Sequence, residues 1–273
     1  MIAPSTHKYD YQKIERFVER KMPDLNTSIR MKNWVNQNYS HETARRFIQQ
    51  INACCEWAKH EGLHPHNPFE GMTRYFQPKK NHRTGYSAFT TAERDAIIGR
   101  FERWDNYYTP WVKFLFYTGC RPSEAAAVRW KHIHPQLESI DFIASLRCDT
   151  HEEQGTKSAD RTFPVGTKLR ALLWSLQVKK ENSESLLLPG LRGGPMNYAN
   201  FQTDHWKPNL TRLWEDGTIA HVLTQYHTRH TWITMALENG YSVADVAYLS
   251  GNTPDVIYKF YASRRRVMEA PDF

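Results

Sequence analysis

The chain has 273 residues, 40% of them hydrophobic and 24% charged, ordinary proportions for a soluble globular protein with room for two buried cores. A net charge of +7 and a pI near 9.2 predict a polyanionic partner. The four cysteines (Cys54, Cys55, Cys120, Cys148) make no CxxC pair or metal spacing, no apolar run reaches membrane-span length, and the N-terminus lacks a signal-peptide core, so a reduced, cytoplasmic protein is expected.

The charge is unevenly placed: residues 1–86 hold 14 Lys+Arg against 8 Asp+Glu, while the remainder hold 22 against 21. Residues 10–22 place Ile14, Phe17 and Val18 at helical spacing, and a second helix is expected over about 26–38 with Ile29 and Trp34 apolar. The third helix is the clearest. Ser40 caps it, Ala44, Phe47, Ile48, Ile51, Cys54, Cys55 and Ala58 form one stripe, and Gly62 ends it. Its other face presents Arg45, Arg46, Gln49, Gln50 and Asn52, side-chain types that reach phosphates and base edges in a major groove. Singly, each suits a solvated face; as a group beside the charge excess they predict DNA contact. From 63 to 90 all periodicity breaks, and this stretch reads as an inter-domain linker, with its core at 81–90. Its Lys79, Lys80 and Arg83 are DNA-binding candidates, although a merely soluble linker would look much the same.

Thr90 and Glu93 have the spacing of a capping box, opening a new domain at about residue 91. A helical segment over Trp111–Tyr117 runs to Gly119, and Pro122 opens the next helix, leaving Arg121 at the junction. A guanidinium beside a helix N-terminus makes a phosphate cradle, and Glu124 is within reach to hold it. Ser139–Arg147 reads as a strand and Arg161–Val165 as its partner, with Lys157 near the tip of the turn-rich segment between them. Helices return after Gly166, and Gly190–Pro195 is a loop.

Residues 225–261 divide into three short helices. Tyr226 and Arg229 share one side of the first, continued by Trp232, Ile233, Ala236 and Leu237 toward the core. An arginine there must meet an anion, because a buried unpaired guanidinium is too costly to keep. Gly240 and Gly251 stop the first and second helices, Ser242 caps the second, and Thr253-Pro254 starts the third, which buries Ile257, Phe260 and Tyr261. An arginine and a tyrosine hydroxyl here can hold an anion between them. The 13 histidines include His64-Pro-His66 and His227 with His230, but no carboxylate or cysteine partners at ligand spacing, so structural or DNA-contacting roles are expected, with no metal.

Five pieces, TGCRPSEA (118–125), TKSADRTFPV (156–165), YHTRHT (226–231), LSGN (249–252) and VIYKFY (256–261), occur in an order that resembles the tyrosine recombinase, or phage integrase, family. The resemblance covers about 87–273, and the N-terminal helices resemble the family's core-binding domain more loosely. It implies a mainly α protein with a small antiparallel β-sheet: a helical, DNA-clamping core-binding domain (1–80), a linker (81–90) and a mixed α/β catalytic domain (91–273). It implies Arg121 and Arg229 as the phosphate-binding arginines, Lys157 as the acid that protonates the leaving 5′ oxygen, and Tyr261 as the nucleophile. Two positions depart from the family pattern. Tyr226 and Asn252 stand where histidine, or histidine or tryptophan, is usual, and both can hydrogen-bond a phosphate but neither is a good base near neutral pH. Some integrase-like members also carry tyrosine at the first position, so the site reads as modified and active. His227, next to that position, is turned off the Arg229 face by about 100°; His230 is a supporting residue. Tyr258 is a packing or backbone-contacting residue, with family spacing favouring Tyr261.

The resemblance further implies a metal-independent, cofactor-free site-specific recombinase acting through a 3′-phosphotyrosyl intermediate. It implies duplex DNA as partner, a homotetramer on two sites, no membrane, and a cytoplasmic, nucleoid-associated protein of bacterial or phage origin. Two alternatives stay open: a type IB topoisomerase-like relaxing enzyme, and a DNA-binding protein that kept the fold but lost catalysis.

Overall fold

The computed structural model describes residues 11–21, 27–76, 87–148, 150–156, 159–178 and 180–261. The chain divides into two units, Met1–His82 and Arg83–Phe273, and each is described by itself.

In the first unit, α1 (Gln12–Lys21), α2 (Ser28–Asn38) and α3 (His41–His60) enclose a small core. Phe17, Met31, Val35, Ala44, Phe47, Ile48, Ile51 and Cys55 supply it, with the Phe17 ring edge-on to Phe47. The Ser40 hydroxyl accepts the Thr43 N–H and so caps α3. Cys54, expected in the apolar stripe, is exposed instead; it lies about 100° round the helix from buried Cys55. A second correction concerns residues 63–76, which were expected to be linker. They fold back on α3: Asn67 donates to Glu56 Oε2 (2.8 Å) and Asn52 Oδ1 (3.1 Å), and a 3-10 turn (Met72–Phe76) buries Phe76 beside Phe69. Two anchoring phenylalanines and a buried asparagine need no helical period, which is why periodicity alone misses them.

The second unit begins before Thr90. Phe89, placed in the linker by the sequence, is buried in its core, and its N–H donates to Thr231 Oγ1 (2.9 Å). The Thr90–Glu93 capping box opens α4 (Thr91–Trp104), and Glu93 Oε1 also accepts the Ala220 N–H. Next come α5 (Thr109–Thr118) and α6 (Pro122–Ala127), then the strands. The segment expected to be one strand is two. β1 (Ser139–Phe142) pairs antiparallel with β4 (Arg161–Pro164), whereas β2 (Ala144–Leu146) pairs with β3 (Glu153–Gly155), a strand the sequence reading did not assign and whose Gly155 it placed in the turn. Exposed β3 carries no apolar alternation to reveal it.

α7 (Thr167–Gln177) follows, then α8 (Tyr198–Phe201), a π-helical stretch (Gln202–Trp206) and α9 (Lys207–Glu215) in one run. The last elements are α10 (His227–Glu238), α11 (Val243–Ser250) and α12 (Pro254–Tyr261). α10 is not one-faced as expected. Thr228, Arg229, His230, Thr231, Ile233, Thr234, Ala236 and Leu237 are all buried, so the helix runs through the interior. Two of its buried threonines are answered locally: Thr228 Oγ1 donates to Gln225 O and Thr231 Oγ1 to His227 O, both at 2.8 Å. On α12, Ile257 and Tyr261 are buried, and Phe260, also expected there, is only partly covered. No helix among the described residues is long and apolar enough to cross a membrane.

Candidate active site

The α5–α6 junction sets the first cation. Gly119 ends α5 in the left-handed region (φ 61°), and Pro122 begins α6, so Arg121 is its N-cap. Gly119 has no substitute here, because a Cβ would lie 2.7 Å from Trp232 Cγ on α10. The Arg121 guanidinium donates through Nη1 to Glu124 Oε1 (2.6 Å) and through Nη2 to the Gly251 carbonyl (2.8 Å). Glu124 Oε2 also accepts the Arg121 backbone N–H (3.0 Å). The expected Arg121–Glu124 pair therefore forms, and the same arginine reaches the turn that carries Asn252.

Glu124 is buried, and its other arginine is one the sequence reading overlooked. Arg161 Nη2 donates to Glu124 Oε2 (2.7 Å), Nε donates to the Leu249 carbonyl (2.9 Å), and the guanidinium stacks 4.5 Å over the Phe142 ring. Burial pushes the Glu124 carboxyl up, but the hydrogen bond and charge of Arg161, then Arg121, more than offset it and hold the group below its ordinary value. A signal for Arg161 was present: in β4 it alternates with Phe163 on the inward face.

Arg229 is almost fully buried on α10 and donates through Nη1 to the Gly119 carbonyl (3.0 Å). Its Nη2 has no hydrogen-bond partner among the described residues. Burial first, then the charge of Arg121, holds its pKa below the usual arginine value. A desolvated cation beside a second cation is stabilised by an arriving anion. The entry to α10 is pinned by buried Gln225, which accepts from Trp111 Nε1 (3.2 Å) and donates to the Tyr198 carbonyl (2.5 Å).

Tyr226 stands at the N-cap of α10, 40% exposed, its ring edge-on to His230 with centroids 5.3 Å apart. His227 lies within 3.0 Å of Thr224 Oγ1, and its ring is edge-on to His230 with centroids 5.1 Å apart. Asn252 follows Gly251 (φ 66°), half-buried, with its backbone N–H on the Ala247 carbonyl. Tyr261 is 2% exposed, and its hydroxyl is hydrogen-bonded to His230 Nδ1, a partnership the sequence reading did not foresee. Tyr258, expected to pack or to contact backbone, is 48% exposed. The neighbouring thiol of Cys120 is no rival nucleophile: burial, reinforced by Glu124, pushes it up to about 12.

Contacts thus join Arg121, Glu124, Arg161 and the 249–252 turn, fix Arg229 to the Gly119 carbonyl at the α5–α6 junction, and pair His230 with Tyr261. Lys157 lies outside the described residues, as do Lys79, Lys80 and Arg83. On α3, Arg46 and Gln49 are exposed and Arg45 is half-buried. Both arginines pair with Glu42 (2.9 and 3.2 Å); the Arg45 hydrogen bond leads in holding that carboxyl down at about 2. Among the described residues no group of three histidines, cysteines or carboxylates gathers as a metal site.

Fold and site together describe a DNA-strand-cleaving and rejoining enzyme of the tyrosine recombinase class. The phage integrase family profile matches residues 89–265, and the chain belongs to that family, a site-specific recombinase. Among solved structures, the Tn1549 transposon integrase in complex with a circular intermediate DNA is similar at a TM-score of 0.77 and 15% identity, covering 95% of this chain and 90% of that one. A lambda integrase dimer bound to a COC′ core site is similar at 0.65 and 12% identity, covering 94% and 91%. Comparison with curated proteins gave no sequence match.

Proposed function

We propose that this recombinase cleaves duplex DNA by attack of Tyr261 on the scissile phosphorus, forming a 3′-phosphotyrosyl linkage and releasing a 5′ hydroxyl. Arg121 and Arg229 neutralise charge developing on the non-bridging oxygens, and Tyr226 and Asn252 add hydrogen bonds to them. Glu124 holds Arg121 in place. Lys157, by the family resemblance, protonates the leaving 5′ oxygen. The linkage conserves the phosphodiester energy, so a 5′ hydroxyl from another strand can reverse the step and exchange partners.

The observation that carries this reading is buried Arg229. Its guanidinium is desolvated, has an unmatched Nη2 donor among the described residues, and is disfavoured further by the charge of Arg121. A phosphate is the substrate group that satisfies both cations. The DNA-bound integrases of the same fold support duplex DNA as the partner. By the same reading residues 1–80 form the core-binding domain, with Arg45, Arg46, Gln49, Lys79, Lys80 and Arg83 toward DNA. Exchange of two duplexes takes four cleavages, hence a tetramer on two sites, in a nucleoid-associated protein of the cytoplasm.

The test is a nicked suicide duplex carrying the recombination site, which traps the covalent adduct by losing the short 5′ fragment. Wild-type chain gives a protein–DNA band on a denaturing gel, and Tyr261→Phe gives none. An adduct that persists in Tyr261→Phe and disappears in Tyr258→Phe transfers the nucleophile's role to Tyr258.

A further inference from the structure

Tyr261 must shed its hydroxyl proton as it attacks, and neither Tyr226 nor Asn252 is a competent acceptor near neutral pH. We propose that His230 is the general base of the reaction, taking the Tyr261 proton at Nδ1 during cleavage and returning it during rejoining. The inference rests on Tyr261 being the nucleophile.

The geometry assigns the role. His230 Nδ1 is in direct hydrogen-bond contact with the Tyr261 hydroxyl, and both side chains are buried. The ring centroids are 5.9 Å apart at 39°, a tilted arrangement and not a stack. A phenol O–H is a far stronger acid than a neutral imidazole N–H, so the tyrosine donates and Nδ1 accepts, leaving the ring proton on Nε2. Burial, then the neighbouring His227 and Arg229, pushes the imidazole down to about 3, which keeps it neutral and its lone pair open. Arg229 precedes His230 on α10, and its positive charge is one of the three causes holding the imidazole down. A phosphodiester bound to Arg229 cancels that charge. That relieves the last of the three causes, while burial and His227 still hold the imidazole down, so the role rests on its direct contact with the Tyr261 hydroxyl.

The step balances. The Tyr261 Oη–P bond forms and the P–O5′ bond breaks; the phenol proton goes to His230 Nδ1, giving imidazolium, while the departing O5′ takes a proton from the acid assigned to Lys157. Rejoining reverses each transfer.

The experiment measures single-turnover adduct formation by the full chain on the nicked duplex. A second duplex carries sulfur in place of the scissile 5′ bridging oxygen, a leaving group that needs no acid. His230→Asn, whose amide keeps a hydrogen bond to the hydroxyl, is expected to slow cleavage by about 10²-fold or more at unchanged DNA affinity and thermal midpoint. The sulfur duplex restores Lys157→Ala but leaves His230→Asn slow, and added imidazole speeds His230→Ala. The proposal is overturned if His230→Asn cleaves within about threefold of wild type, or if sulfur restores it, which makes His230 an acid. Cleavage faster than wild type overturns it too, because the imidazole then only restrains the tyrosine. An adduct in Tyr261→Phe instead sinks the nucleophile assignment beneath it.

Discussion

At the scale of single residues, Glu124 organises the site although it meets no substrate. One buried carboxylate accepts from Arg121 and Arg161, and these two arginines reach the carbonyls of Gly251 and Leu249. Arg161 is thus a positioning residue, fastening β4 and α6 to the turn that presents Asn252. Removing one partner of a buried ion pair leaves the other charge uncompensated, at a cost of about 3–5 kcal/mol. Arg161→Met leaves Glu124 with Arg121 alone and the Leu249 carbonyl without its donor, so it is expected to lower unfolding free energy by about 2–3 kcal/mol in urea titration. Arg161→Lys keeps the charge but cannot serve Glu124 and Leu249 with one planar fork. It is expected to retain most of the stability while cleaving the nicked duplex at least tenfold more slowly. Equal cleavage by Arg161→Lys and wild type would remove Arg161 from the positioning network.

At the scale of elements, the α5–α6 junction and α10 are built as one piece. Gly119 serves three ends: its left-handed backbone stops α5, its carbonyl receives Arg229, and its missing Cβ admits Trp232. Gly119→Ala forces a side chain into both a disfavoured φ and an occupied space. The backbone term is about 1 kcal/mol and the overlap adds about 1–3 kcal/mol. The expected outcome is a lower thermal midpoint together with slower cleavage, since Arg229 moves with the carbonyl it holds. A variant with unchanged midpoint would mean that Trp232 yields freely. The helix boundaries here were legible in the sequence because caps are local: Ser40, Thr90, Ser242 and Thr253 do their work within three residues. The through-going burial of α10 was not, since threonines and histidines beside an arginine look like a surface until the surrounding elements are in place.

At the scale of the molecule, charge is concentrated where chemistry is not. The +6 balance of residues 1–86 suits a surface that tracks phosphates, while the near-neutral remainder places Arg121, Arg161 and Arg229 at one site. Glu42 moderates this on α3 by pairing with Arg45 and Arg46. If α3 lies on DNA, Arg46→Ala reduces the slope of log affinity against log salt by about one, and Glu42→Gln steepens it. Fluorescence anisotropy over a salt series measures both. Slopes unchanged in both variants would take α3 off the DNA.

The sequence by itself determined the family, the helical punctuation and the candidates Arg121, Arg229 and Tyr261, because motif order and capping are properties of neighbouring residues. It misread 63–76, β3 and Cys54, where burial depends on what packs from elsewhere. Only the tertiary structure decided that Arg161 shares Glu124 with Arg121 across a separation of 37 residues, and that His230 meets Tyr261 across 31. Those contacts depend on where strands and helices cross, and alternation or spacing along one element cannot express it.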